Sequence, residues 1–334
     1  MTSPTRTESI IARVPLGPQW STLDPFLFCA HHDDAYPAGD GSLAPSASLA
    51  GRQIGSDFSG TDGWSMYHGS TVPGFPQHPH RGFETITFAR RGYIDHSDSL
   101  GATARFGRGD VQWMTAGSGI VHAEMFPLID TDRPNHTELF QVWLNLPAND
   151  KLVDPYFTML WAEEIPAIEL DNGGRITVIA GSLEGVSGPT PPPNSWAARP
   201  EADVGFWHIV LPEGANWSLP AAASDTNRVL YVFDGDRIDV AGQIVDHGTG
   251  VQLNADHDIE LRSVGGGVEC LLLQGRPIGE AVAQYGPFVM NTRAEIQQAF
   301  EDYQRTEFGG WPWDRDDPVH AADQARFAVH ADGH

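Results

Sequence analysis

Residues 78–92 read HPHRGFETITFARRG and residues 109–124 read GDVQWMTAGSGIVHAE, and the fold is decided by how these two stretches are understood. The first opens with His78 and His80 at i, i+2; the second closes with His122 and Glu124 at the same spacing. In an extended strand successive side chains point to opposite faces, so residues i and i+2 share one. Each pair therefore aims two donors in one direction, and two pairs facing each other supply three imidazoles and one carboxylate. Such a set leaves open positions on a transition ion and suits iron, nickel, manganese or zinc. A lone strand histidine is more often a hydrogen-bonded structural residue, and without a metal His122 and Glu124 would merely pair with surface cations. Two pairs at strand spacing, joined by turn-rich chain, shift that balance toward ligands.

Outward from the motifs, short apolar or alternating runs are separated by Gly, Pro and Asp: SMYHGSTVPGFP, ATARFGRGD, VQWMTAG, ELFQVWLNLP. This rhythm predicts an all-β fold of barrel or sandwich type. Upstream, PFLFCA (25–30) predicts a short buried strand. The following HHDDAYPAGDGSLAPSASLAG predicts a solvated loop in which His31, His32, Asp33 and Asp34 have no fixed direction. Glu84 has the parity of His78 and His80, so strand alternation aims it at the same interior, as acceptor for an imidazole N–H or as partner of Arg81. Gln112, Trp113, Gln141 and Trp143 add polar and aromatic character, with ordinary barrel core the simpler reading for each tryptophan. His96, His136, His208, His247 and His257 read as structural or exposed.

RITVIAG (175–181) predicts a further strand, after which SLEGVSGPTPPPNSWAARPEADVG holds the densest proline and glycine. That stretch, near 183–204, predicts an interdomain crossing and hence domains 1–182 and 183–334. Beyond it a second series (GFWHIVLPEG, RVLYVFDGD, RIDVAGQIV, TGVQLN, DIELRSVG, VECLLLQG) repeats the rhythm of the first. Where the first series has PGFPQHPHRGFETI, the second has WSLPAAASDTNRVLYV, without a His-x-His. NTRAEIQQAFEDYQ (291–304) predicts a helix, with Thr292 and Glu295 as a capping box and Ile296, Phe300 and Tyr303 on one face. The tail GGWPWDRDDPVHAADQARFAVHADGH either closes against the body or stays mobile.

Composition excludes several classes. With 20 Lys+Arg against 44 Asp+Glu, the net charge of −24 opposes direct contact with nucleic-acid phosphates or anionic lipid. Cys29 and Cys270 stand far apart, so neither a disulfide framework nor a thiolate zinc site is expected. The start, MTSPTRTESIIARVP, lacks the basic end and apolar run of a signal peptide, and no stretch approaches a membrane span; a cytoplasmic protein is the expectation. No G-x-S-x-G, P-loop or Rossmann fingerprint offers a start for acyl transfer, nucleotide hydrolysis or nicotinamide chemistry.

HPHRGFETI (78–86), GDVQWMTAGSGIVHAE (109–124), FQVWLNLP (140–147) and QYGPFVMNTRAEIQQAF (284–300) stand in the order seen in pirins. Over most of its length the chain resembles this family of iron-binding proteins in the cupin superfamily. The spacing of four residues between Gly117 and His122, with Thr115 where a proline is common, departs from the general cupin pattern as pirins do. The resemblance implies two cupin-type β-barrel (double-stranded β-helix) domains with a C-terminal helix. The first would hold a metal through His78, His80, His122 and Glu124, and the second would carry none. Fe(II) is the metal implied first, with Mn, Ni, Co, Zn and Cu compatible with the same donors. For function it implies a dioxygenase of quercetin 2,3-dioxygenase type, opening flavonol-like substrates with Glu124 as catalytic proton acceptor. Other pirins act instead as iron- and redox-sensing transcriptional co-regulators through a regulatory protein partner.

Overall fold

The alternating runs become strands. The computed structural model describes residues 9–331, and among these the fold is all-β apart from short 3-10 turns and a single α-helix. Two compact units share the chain. One comprises His31–Ala162 with the residues from Glu280 onward; the other comprises the residues up to Ala30 with Glu163–Gly279. A division into 1–182 and 183–334 is thereby corrected, and strand pairing supplies the reason. Arg175–Ala180 and Gly205–Leu211, which flank the proline-rich stretch, are antiparallel neighbours in one sheet, so that stretch is a long loop inside one unit. The N-terminal strand Ile10–Pro15 pairs with Thr249–Leu253 in the same unit.

The unit that carries both motifs is built from two sheets. One has the order Tyr156–Leu160, Asp110–Thr115, Phe83–Arg91, Asn135–Asn145 and, from His31 on, the strand Phe26–Tyr36; the other has Phe327–Val329, Thr103–Gly107, Tyr93–Asp98, Ile120–Met125, Gly74–His80. Side chains from both close one core, among them Ala89, Leu139 and Phe157 from the first sheet and Ile94, Ala104 and Phe106 from the second. Full burial of side chains of this size stabilises by about 1.5–3 kcal/mol each before chain entropy is counted. Phe26–Tyr36 runs eleven residues, so His31 to Asp34 lie in a strand and not in a loop. Local polarity misled the sequence reading there: Asp34 is buried, accepting from the Tyr67 hydroxyl (2.7 Å) and the Ser65 amide (2.9 Å), and His31 stacks on Phe140.

Between the strands Gly74–His80 and Phe83–Arg91 the chain passes from one sheet to the other through Gly82, at φ +86°. A Cβ there would lie 2.0 Å from the Val289 carbonyl oxygen, so only glycine fits. Lys151 holds this turn. Its ammonium, 1% exposed, donates to the carbonyls of Gly82 (2.8 Å) and Val289 (3.2 Å) and to Asn145 Oδ1 (2.7 Å). Burial pulls its pKa down to about 8, with Glu280 and Glu295 opposing. Because the unfolded chain keeps the proton longer, the Lys151 contribution makes stability rise with pH between about 8 and 10.5. The expected difference in pH slope between wild type and Lys151→Met integrates to on the order of 3 kcal/mol over that window. Denaturant titrations at several pH values measure it; parallel stability curves for the two proteins would refute it.

The helix spans Arg293–Thr306 with Thr292 as N-cap, and the capping box to Glu295 is present. Ile296 and Ala299 are buried, and Phe300 and Tyr303 pack with Phe288 and Phe308. The tail closes on the body. Phe327–Val329 pairs with Thr103–Arg105, and Arg105 donates to the carbonyls of His320, Ala321 and Gln324.

The second unit has one large sheet, with the order Ile10–Pro15, Thr249–Leu253, Asn227–Val240, Ile259–Gly275, Gly205–Leu211, Arg175–Ala180, Ala167–Glu169. Its interior is filled by residues such as Trp207, Leu230, Val251, Leu261 and Cys270.

Candidate metal centre

Strand pairing brings the two motifs together. Gly74–His80 lies antiparallel to Ile120–Met125 with His78 directly opposite His122, His80 opposite Ile120 and Phe75 opposite Glu124. A bulge between Phe75 and His78 resets the alternation on the first strand. His78, His80 and His122 each offer a ring nitrogen, and these atoms lie within 4.8 Å of one another. The ring centres of His78 and His122 are 4.4 Å apart, those of His78 and His80 4.8 Å, and those of His80 and His122 4.9 Å.

Hydrogen bonding prepares the rings as ligands. His78 donates from Nδ1 to the Pro76 carbonyl at 2.8 Å, which leaves Nε2 with its lone pair free. His80 and His122 are buried, and neither ring nitrogen of either has a hydrogen-bond partner of good geometry. Buried polar atoms without partners are costly, and two such imidazoles beside the free Nε2 of His78 fit a cation that accepts their lone pairs. Burial is the main cause that holds His78 at a pKa of about 4 and keeps His80 and His122 well below the ordinary imidazole value. The neighbouring histidines add to this, since a proton on one ring disfavours a proton on the next, while the Pro76 and Pro287 carbonyls oppose it at His78 and His80. The rings are therefore neutral at physiological pH, the form that binds metal.

Glu124 sits slightly apart. Its Oε2 is 3.9 Å from His122 Nε2 and accepts from Gln141 Nε2 at 2.7 Å, while Oε1 is 3.4 Å from the Thr87 hydroxyl. Gln141 is itself fixed by the Trp143 indole N–H, which donates to its Oε1 at 3.0 Å. Burial raises the Glu124 pKa; His96, Gln141 and Thr87 pull it back. Gln141 and Trp143 thus hold the carboxylate, and Trp143 also lies edge-on to His80 and stacks on Phe83. Glu84 is buried and accepts from the Thr115 hydroxyl through Oε1 at 2.6 Å.

Asp33, His136 and Glu138 also bring ligand-type atoms within 4.8 Å of one another, at the surface. There Arg90 already donates to Glu138, Arg91 stands 3.6 Å from the same carboxylate and His31 3.1 Å from its other oxygen. Two guanidinium groups at one carboxylate make an ion-pair network and repel a further cation. His96, read from sequence as structural or exposed, is fully buried opposite Glu124 in the sheet, with its ring centre 5.6 Å from that of His122. The signal was the Asp98 two residues on, the same strand spacing as the other pairs.

Comparison with known proteins gives the chain a family. The pirin family model matches residues 6–144, and the model of the pirin C-terminal cupin domain matches residues 206–309. A pirin-like protein of Caulobacter vibrioides is 40% identical over 236 residues, covering 70% of this chain and 80% of that protein. A Pseudomonas aeruginosa protein provisionally named as a quercetin 2,3-dioxygenase is 37% identical over 235 residues, covering 70% and 79%. The solved structure of a quercetin 2,3-dioxygenase from Acinetobacter baumannii matches with a TM-score of 0.72 at 24% identity, over 90% of this chain and 98% of that one, a likeness of fold. The chain belongs to the pirin family, with an all-β, cupin-type fold and a C-terminal helix.

Proposed function

We propose that the protein is a metal-dependent dioxygenase of quercetin 2,3-dioxygenase type acting on flavonol-like substrates, with Fe(II) held by His78, His80, His122 and Glu124. The observation that carries this reading is an aromatic rim beside the imidazole cluster. His78 is only partly buried and lies on an edge strand; its ring centre is 6.3 Å from that of Phe75, which is surrounded by Tyr67 (5.1 Å), His68 (5.8 Å) and the exposed Phe58 (6.4 Å). A planar polyphenol stacks on such rings and brings an acidic hydroxyl to the cluster. The donor set of neutral imidazoles and one carboxylate suits a divalent transition ion, which would supply Lewis-acid activation of that hydroxyl and a place for dioxygen.

The chain's own groups have defined tasks. His78, His80 and His122 hold the ion; Phe75 and its neighbours orient the flat ligand; the buried wall of Phe83 and Trp143 excludes water behind His80. Glu124, a ligand set slightly apart from the imidazoles and raised in basicity by burial, would leave the ion to receive the hydroxyl proton, with the Gln141 amide keeping its carboxylate in place. The relatives provisionally named as quercetin 2,3-dioxygenases support the same reading. Among the described residues no helix is long and apolar enough to cross a membrane, and the cytoplasm is the proposed compartment.

Iron-loaded protein mixed with quercetin is expected to consume dioxygen and release carbon monoxide in equal amounts, as the ring opens and both oxygen atoms enter the remaining product. An oxygen electrode and a haem-based carbon monoxide assay follow the two gases. No uptake above that of free iron would remove this reading for quercetin. The regulatory alternative would then be tested by comparing partner capture on ferrous and ferric protein, where equal recovery or none counts against it.

A further inference from the structure

Three strands of one sheet carry polar side chains onto the face that holds the imidazole cluster. In the order Tyr93–Asp98, Ile120–Met125, Gly74–His80, one row reads Asp98, His122, His78 and the next reads His96, Glu124, Phe75. Residues paired across an antiparallel sheet share a face, so His96 and Asp98 are turned to the same side as His122 and Glu124.

The His96 ring is fully buried, as is Asp98. Its Nε2 lies 3.2 Å from Asp98 Oδ2, while Asp98 Oδ1 accepts the backbone N–H groups of Leu100 (2.9 Å) and Ala102 (3.0 Å). A carboxylate that receives two amides and an imidazole acts only as acceptor, so the ring proton sits on Nε2. In the neutral ring Nδ1 is then a lone pair. It is buried, and none of the described residues donates to it. Phe157, stacked on the ring at 5.2 Å and 16°, fixes its plane. The ring centre lies 5.6 Å from that of His122, so this buried acceptor stands beside the imidazole cluster and lacks only its donor.

We propose that His96 is a ligand-binding residue, whose Nδ1 accepts a hydrogen bond from the hydroxyl group or water brought to the three-imidazole cluster, with Asp98 as the positioning residue that fixes the ring's proton on the opposite nitrogen. Its substrate class rests on the flavonol reading; its hydrogen-bond role does not. Discrimination follows from it, because a ligand without the hydroxyl leaves Nδ1 without a partner.

Asp98→Asn tests the arrangement with little change of volume. The asparagine Oδ1 can still accept from Leu100 and Ala102, but its amide N–H groups now face Nε2, which favours the reversed tautomer and turns Nδ1 into a donor. Wild type, Asp98→Asn and His96→Phe are loaded with zinc, which is redox-inert, and titrated with 3-hydroxyflavone and with flavone, which lacks the hydroxyl. Metal content by elemental analysis is expected to be equal in all three. Both variants are expected to lose at least tenfold in affinity for 3-hydroxyflavone and to keep their affinity for flavone. Equal losses for the two ligands, no loss, or loss of zinc from Asp98→Asn would overturn the proposal.

If wild type binds neither flavone, the flavonol reading falls and imidazole ¹⁵N resonances of the zinc-loaded wild type decide the role of His96. A proton on Nε2 together with a pyridine-type Nδ1 that shifts toward a hydrogen-bonded position on zinc loading, as water enters the cluster, sustains it. A protonated Nδ1, or one that does not respond to zinc, overturns it.

Discussion

Replacing His80 and His122 together by alanine is expected to take the protein from about one bound divalent ion per chain to background in elemental analysis. Two of the three clustered imidazoles go at once, and His78 with Glu124 cannot close a stable set on its own. The metal-free stability is expected to move much less than a double core truncation would suggest. Alanine removes four buried ring nitrogens that have no hydrogen-bond partner of good geometry among the described residues, and an unsatisfied buried polar group costs about 1–3 kcal/mol, which offsets part of the cavity cost. What disappears is the metal-linked part: ion at a hundredfold excess over its dissociation constant stabilises the wild type by about 2.7 kcal/mol and the double variant not at all. Thermal melts with and without added metal show both effects. His208→Ala serves as control, since His208 pairs with Glu269 at 2.8 Å in the other unit. Full metal content in the double variant would sink the ligand assignment. The low basicity of the rings, about 4 at His78, adds a pH signature: protons compete with the metal only when pH falls toward those values, below the range set by an ordinary imidazole near 6.5.

The second large effect lies at Arg105. Its guanidinium is fully buried and grips Asp95 with two hydrogen bonds, Nε to Oδ1 at 2.6 Å and Nη2 to Oδ2 at 2.7 Å. Its remaining donors reach the carbonyls of Ala321 (2.8 Å), Gln324 (3.0 Å) and His320 (3.1 Å), while the His320 amide donates to Asp95 at 2.8 Å. Arg105→Ala strands a buried carboxylate and several carbonyls, and breaking a buried pair from one side costs about 3–5 kcal/mol. Urea unfolding is expected to show a loss of that size. The tail is expected to become a protease target, with cleavage between residues 318 and 331 seen by mass spectrometry. An unchanged midpoint with a resistant tail would show that the strand Phe327–Val329 holds the end without the arginine.

Much of the centre was legible because its chemistry follows the period of a strand. His78 with His80 and His122 with Glu124 announce a shared face by spacing alone, and the helix announces itself through Thr292, Glu295 and the apolar positions 296, 300 and 303. What escaped depends on partners distant in sequence. His31 to Asp34 look like loop because four polar residues follow one another; they are strand because Phe140, Glu138, Tyr67 and Ser65 supply contacts that the local sequence cannot show. His96 was passed over as structural or exposed although Asp98 stands at i+2; the backbone N–H groups of Leu100 and Ala102 hold that aspartate inward, which spacing alone does not show. The domain boundary failed for a similar reason. A proline-rich stretch marks a break in local structure, but only long-range pairing tells whether the strands on either side belong together.

That pairing also sets the order in which the protein can be completed on the ribosome. The unit that holds the imidazole cluster is interrupted after Ala162 and resumes at Glu280, and its Arg105 waits for carbonyls at 320, 321 and 324. The other unit needs the strand Ile10–Pro15, made first, and Thr249–Leu253, made much later. Neither half closes early. A chain released after Gly279 but before residue 324 would expose the histidine-bearing strands with their last supports missing, so closure of the imidazole cluster waits until those carbonyls have been made.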